Sequence, residues 1–307
     1  MKSSNFSAQE KYQRFPVAVV YMLTAVFSLA VSSFAAKLAM GYVSIYLTIF
    51  MRFLIPLLCV FSVLVWNSDF DTISIKDIKL QSVRASALFL AKYLLFLAIA
   101  KLPLSEAILL FCTYPLFIMI FDLITGKLRD KYCVLGVIVS FLGILLILHV
   151  QKDIWNAIYV GCGLLSAFFV SISQIVLHES TKASSNLATM FVVNLLCTTF
   201  AFIALVVHTK LAGDAGYANV PVEVLFLLLI VGFCCLCNQV FRFKAFSLVK
   251  AASVLTPLMY LSVVFAAIID YFYYHYLSDL QTISGGLLVV CGIFVIMKHH
   301  KIVDRSS

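Results

Sequence analysis

Long apolar runs, separated by short polar breaks, make up almost the whole chain. A helix needs about twenty predominantly apolar residues to cross the hydrocarbon core of a bilayer. Ten runs approach or meet that length, at about 16–36, 43–66, 80–100, 104–124, 132–150, 157–177, 187–207, 222–246, 251–271 and 280–297. The breaks between them are brief; the longest read NSDFDTISIKDI and HTKLAGDAGYANVP. The pattern predicts an all-α membrane protein of ten transmembrane helices, with polar tails at 1–15 and 298–307.

Composition agrees with the pattern. The 307 residues are 63% hydrophobic and 12% charged, with a mean hydropathy of +1.07. Soluble domains carry about 25% charged residues, so no sizeable soluble domain is expected. The first apolar run is longer than a signal-peptide core and nine more follow it, so it is expected to be retained. The nine cysteines are odd in number and fall mostly inside apolar runs, which predicts free, buried thiols. A C-x-x-C spacing at Cys234 and Cys237 has no second ligand pair nearby, and helix packing explains it better than zinc. The six histidines, at 149, 178, 208, 275, 299 and 300, sit at run ends or in the tail. No metal site and no cofactor are expected. There is no phosphate-binding loop, dinucleotide fingerprint or nucleophile motif, which excludes an ATP-driven pump acting alone, and nothing suggests a nucleic-acid partner.

Charge placement sets the orientation. With the amino terminus inside, the inner segments hold sixteen Lys and Arg and the outer segments four: Lys37, Lys101, Lys152 and Lys210. Cytoplasmic loops collect Lys and Arg, so both termini are expected in the cytoplasm. The two left over from this count, Arg52 and Lys92, lie deep within spans.

The two halves resemble each other. LGVIVSFLGILLIL (135–148) closes spans one to five, and SGGLLVVCGIFVIM (284–297) closes spans six to ten. Each places glycines seven residues apart, Gly136 with Gly143 and Gly285 with Gly292, on one helix face where a neighbour can approach closely. Five spans is an odd number, so the second unit enters the bilayer inverted. Inverted repeats with a substrate site between them are the architecture of secondary transporters. The domain reading is a first repeat at 16–150 and a second at 157–297.

The motifs in these halves resemble EamA-type transporters of the drug/metabolite transporter superfamily. In the second half the resemblance rests on Ala245-Phe246-Ser247 leading into span nine, on Pro257, on Tyr260-Leu261-Ser262 and on the glycine-rich last helix. In the first half it rests on Arg52-Phe53, the small-residue turn at 105–107, and Tyr114-Pro115-Leu116. Two positions depart from the family pattern: Gly126-Lys127 and His275-Tyr276 stand where relatives carry Gly-Glu pairs. The resemblance implies no cofactor and a central cavity lined mainly by spans one, three, four, six, eight and nine. Within the family, the second-half pattern looks most like S-adenosylmethionine carriers.

Charge inside a bilayer costs about 2.5–3.5 kcal/mol on insertion scales and marks function by default. Arg52 and Lys92 have no acid at matching depth in the sequence. Arg52 is read as structural, bonding carbonyls freed near Pro56, because span two is peripheral in the resembled family. Lys92 is read as the substrate cation, because span three lines the cavity there. Tyr93, Tyr114 and Tyr260 are aromatic candidates for a sulfonium or a ring. Gln174, Asn238 and Gln239 are candidate hydrogen-bonding amides, with Ser28, Ser32 and Ser171 as further polar positions. Asn194 is read as an interhelical bond. Pro115 and Pro257 lie one in each repeat and suit paired kinks that rock between two states.

The reading is a secondary transporter in the cell inner membrane, embedded in the lipid bilayer and moving a small polar metabolite by alternating access. The substrate class is amino-acid-like, with S-adenosylmethionine, exchanged for S-adenosylhomocysteine, as the specific expectation. Two alternatives stand beside it: an efflux carrier for amino acids or drugs, and a membrane-embedded enzyme, against which the scattered acids argue.

Overall fold

The computed structural model of the chain describes residues 8–67, 78–125, 154–180, 186–212, 221–248 and 256–276, with shorter stretches within 135–146 and 279–292. Among the described residues the regular structure is helical. In chain order the helices are α1 (Ala8–Ala39), α2 (Ile45–Asn67), α3 (Ile78–Lys101), α4 (Leu104–Phe111) and α5 (Tyr114–Ile124). Then come α6 (Ile154–Ser180), α7 (Asn186–Ala212), α8 (Val222–Ser247), α9 (Leu261–Tyr274) and α10 (Ile283–Gly292). Helical residues at 138–143 lie in the fifth predicted span.

Six of these helices are long and apolar enough to cross a membrane: α1, α2, α3, α6, α7 and α8. Their outer surfaces carry exposed apolar side chains, among them Leu58 and Val65 on α2, Phe202 and Ile203 on α7, and Phe226 and Phe233 on α8. Apolar area of this extent facing outward marks contact with hydrocarbon. The helical part of the first span starts earlier than expected. Residues 8–15, read from sequence as tail, belong to α1, because Ala8-Gln9-Glu10-Lys11 are good helix formers.

The fourth and ninth predicted spans are not continuous helices. The fourth divides into α4 and α5 at Cys112-Thr113. Pro115 is the second residue of α5, where a missing N–H costs nothing. In the ninth, a 3-10 turn at Thr256–Tyr260, containing Pro257, precedes α9. Pro115 thus follows a full break, and Pro257 lies in a 3-10 turn at the start of the described part of span nine.

The helix pairing follows the repeat. The two most extensive contacts are α1 with α8 and α3 with α6. These are spans one with eight and three with six, which exchange when the repeats exchange. Spans two and seven pair as α2 with α7, and spans four and nine as α4 with α9. The α1–α8 pair is antiparallel, as three contacts show: Tyr21 with Phe241, Asn238 with the Ala25 carbonyl, and Ser32 with the Val231 carbonyl. The glycine pairs close the pattern. A methyl added at Gly143 would stand 2.6 Å from the Gly285 carbonyl oxygen, and one at Gly292 would stand 2.6 Å from the Gly136 carbonyl oxygen. This reciprocity is what a two-fold axis relating two inverted units produces.

Candidate functional site

The break in span four packs against the 3-10 turn and the first residues of α9 in span nine. The Tyr114 hydroxyl donates to Met259 Sδ at 2.9 Å, and Cys112 Sγ lies 3.5 Å from Ser262 Oγ. Breaking a helix leaves carbonyls at the end of its first half without intrahelical partners, and that end carries partial negative charge. Here the end belongs to α4, which finishes at Phe111. Lys92 on α3 meets it: the ammonium lies 4.1 Å from the Phe111 ring centroid. Only 9% of Lys92 is exposed. A lysine so placed gains from the ring face.

A second cation, Arg52 on α2, reaches the same stretch of α3, against Phe96 one turn on from Lys92. Arg52 is 2% exposed, with its guanidinium 5.2 Å from the Phe96 ring centroid. Its Nη1 donates to Ser32 Oγ at 3.1 Å, and Ser32 donates on to the Val231 carbonyl at 2.9 Å. Arg52 thereby stitches α2, α1 and α8. The described hydrogen bond runs to Ser32, not to the carbonyls near Pro56 expected from sequence. The Nε of Arg52 is buried without a partner among the described residues.

The remaining predicted residues divide. Tyr114 and Tyr260 stand beside the break in span four and at the 3-10 turn of span nine. Tyr260 is buried, with a hydroxyl that has no partner among the described residues. It lines a cavity of about 400 Å³ with Ser105, Glu106, Leu109 and Gly286, between α4, α9 and α10. Tyr93 turns away from Lys92: its hydroxyl lies 3.1 Å from that of Tyr46, whose ring packs on His208. Asn238 donates to the Ala25 carbonyl at 2.7 Å, and Gln239 pairs with Asn194 across α7 and α8. Those amides serve helix contacts here, and Asn194 makes the expected interhelical bond. Gln174 lies half-buried on α6. Pro115 stands just after the break in span four, and Pro257 lies in the 3-10 turn at Thr256–Tyr260. Ser28 and Ser171 turn their hydroxyls back onto their own helices, to Thr24 and Phe168.

The opposite end of the bundle, where α1 and α3 finish, is acidic. The Asp270 carboxylate of α9 accepts the N–H of Leu104 at 3.1 Å, the N–H of Ser105 at 2.7 Å and the Ser105 hydroxyl at 2.6 Å. It caps α4 from the other repeat. Glu106 accepts the Tyr276 hydroxyl at 2.7 Å. Lys37 donates to the Leu102 carbonyl at 2.7 Å and lies 4.8 Å from the Tyr274 ring centroid. Just past α9, the Tyr276 phenol is raised from its ordinary pKa, by burial first and then by its bond to Glu106.

Sequence reasoning left three features out. Phe111 under Lys92 carried no polar signal. Asp270 and Ser105 are 165 residues apart. Arg84, counted with the inner segments, is 8% exposed inside the bundle; its distance of two helical turns from Lys92 was the available hint.

Comparison with known proteins agrees with this architecture. One solved crystal structure superposes with a TM-score of 0.64, over 91% of this chain and 97% of the other, at 14% identity. At that identity the likeness is one of fold. The pseudopaline exporter CntI of Pseudomonas aeruginosa, matched in two strains, is 27% identical over 216 residues, covering 70% of this chain and 72% of the relative. The EamA-like transporter family matches residues 16–149 and 157–298, one match to each repeat. This multi-pass membrane protein therefore belongs to the EamA-like transporter family.

Proposed function

We propose that the protein is a secondary transporter that exports a small, polar, carboxylate-bearing metabolite across the cell inner membrane by alternating access between its two repeats. The observation that carries this reading is Lys92: a buried ammonium held against the broken fourth span, with more positive charge nearby. A carboxylate arriving there gains an ion pair that the protein's described residues do not already supply, in a setting where water competes poorly. Tyr114 and Tyr260 flank the break and contact the rest of the substrate.

Export, rather than uptake, follows the relative that exports pseudopaline. S-adenosylmethionine, the expectation from sequence, fits less well. It carries a sulfonium and an ammonium against one carboxylate, and Lys92 with Arg52 on the next turn opposes a net positive substrate. Amino-acid-like metabolites without a second positive charge suit the site better.

Inside-out vesicles from cells expressing the chain test the reading. They are expected to accumulate one or more labelled amino-acid-like metabolites from a panel that includes S-adenosylmethionine, and the Lys92→Met variant is expected to lose that uptake at least tenfold. Uptake equal in the variant and the parent would remove Lys92 from the site. Uptake no greater than in vesicles lacking the protein would reject transport of this substrate class.

A further inference from the structure

We infer that the cavity between α4, α9 and α10 is a second binding site, which takes a lipophilic amine from the bilayer: Glu106 pairs with the ammonium, and Tyr260 donates to a carbonyl or ether oxygen further along the ligand. The cavity holds about 400 Å³, within the range of small-molecule sites, about 300–1,000 Å³. Its rim is formed by Val264 on α9 and by Ile283 and Leu287 on α10, all exposed. Those side chains belong to the apolar outer surface, so a ligand reaches the cavity by way of the lipid. Further in, Glu106 is 3% exposed and Tyr260 8%. The site stands apart from Lys92, since no described residue of α3 lines it.

Charge selects one end of the ligand. Glu106 accepts the Tyr276 hydroxyl at 2.7 Å, and a phenol bonds a carboxylate without neutralising it. Asp270, which caps α4, adds a second carboxylate at the same end of the bundle. Lys37, the cation at the end of α1, is turned to the Leu102 carbonyl and the Tyr274 ring. Negative charge in an apolar wall favours an ammonium and opposes a phosphate or a fatty-acid carboxylate. Tyr260 selects the rest. Its hydroxyl is buried without a partner among the described residues. A plain hydrocarbon chain filling the cavity would leave that hydroxyl unsatisfied, at a cost in free energy, whereas a ligand oxygen satisfies it. The remaining wall includes Leu109, Val263, Ala267, Gly286 and Val290, an apolar surface suited to an alkyl or aryl body. Gly286 keeps it open: a methyl there would stand 3.0 Å from Leu109 Cδ2.

The experiment is equilibrium dialysis of the full chain in nanodiscs of neutral lipid, with empty nanodiscs subtracting what the bilayer itself takes up. The probes are tetracaine, with a tertiary ammonium and an ester; dodecylamine, with the ammonium alone; butyl benzoate, with the ester alone; and dodecanoate, an anion. Tetracaine is expected to bind saturably and at least tenfold more tightly than any of the other three, and to raise the melting temperature of the protein. Glu106→Gln is expected to weaken tetracaine and dodecylamine at least tenfold and to leave butyl benzoate unchanged. Tyr260→Phe is expected to weaken tetracaine and butyl benzoate and to leave dodecylamine unchanged. Each variant thus carries its own sign of a folded site. Ala267→Phe fills the cavity from its exposed, lipid-facing side and is expected to weaken all of the binding at least tenfold. No saturable tetracaine binding beyond that of empty nanodiscs would overturn the site, and so would binding unchanged in Ala267→Phe. Dodecanoate binding as tightly as dodecylamine, or tetracaine affinity unchanged in Glu106→Gln, would overturn the choice of an amine. None of these measurements uses transport, so their failure leaves the Lys92-dependent uptake above to stand or fall by itself.

Discussion

A lysine pressed onto a phenyl ring, with an arginine one turn away, makes a stability prediction opposite to that of a structural lysine. Lys92 is buried, and its described surroundings add positive charge instead of removing it. Removing such a charge relieves a cost, whereas removing half of a matched pair creates one. Lys92→Met is therefore expected to leave the melting temperature of the substrate-free protein unchanged or raised, while transport falls at least tenfold; differential scanning fluorimetry beside vesicle uptake reads both. A drop in both together would mark Lys92 as a packing residue. His275 makes a second prediction. It is the C-cap of α9 and sits in the left-handed region at φ 51°, at a position where relatives resembled by the sequence carry glycine. Left-handed backbone costs an L-residue roughly 1–2 kcal/mol, so His275→Gly is expected to stabilise the protein by about 1 kcal/mol, less what glycine loses in chain entropy. The check is the denaturant midpoint in detergent.

Short helices need help at their ends, and α4 is eight residues long. Its Pro103 N-cap supplies no side-chain bond. The orphan N–H groups of the first turn are satisfied from α9 instead, by Asp270. A carboxylate at that end also complements the positive end of the helix dipole. Asp270→Asn keeps the shape but removes the charge and puts an amide donor near two N–H groups. It is expected to cost about 1–3 kcal/mol, with amide exchange accelerated over 104–108 and unchanged in α2. Because Asp270 joins the two repeats at the acidic end, the same variant is expected to expose that end more often, read as faster thiol labelling of Ser105→Cys in the Asn background than in the parent. None of this was legible in the sequence. Asp270 appeared there as an acid near the end of a span, and no local rule connects it with Ser105. What local rules did mark was Pro115, beside the place where the fourth span yields, though not that the span breaks outright at Cys112-Thr113. Hydropathy counts apolar residues and is blind to a two-residue interruption inside an apolar run.

At the scale of the molecule, legibility depended on whether a feature repeats. Apolar runs and the glycine pairs recur in both halves, so the two-repeat organisation could be read from 136, 143, 285 and 292. The cation at 84 does not repeat and sits near the end of a span, where a loop assignment is the natural one; only the packing of α3 against α6 shows it drawn inside. The glycines also supply a test of the repeat as a physical unit. Gly143 meets Gly285, and Gly292 meets Gly136, both through backbone carbonyls. A carbonyl oxygen cannot rotate aside as a side chain can, so even a methyl forces the two helices apart. Overpacking of this kind costs typically 1–3 kcal/mol. Gly143→Ala and Gly292→Ala are each expected to destabilise the protein by about that much, measured by thermal unfolding in detergent. The two contacts are seven residues apart on their helices, or about 10 Å, far enough for independent local strain to add. If they instead report one rigid seam, the first alanine already separates the helices and the second costs little. A double variant less destabilised than the sum would show that 138–143 and α10 move as a single hinge between the repeats; additivity within about 0.5 kcal/mol would show two separate clasps.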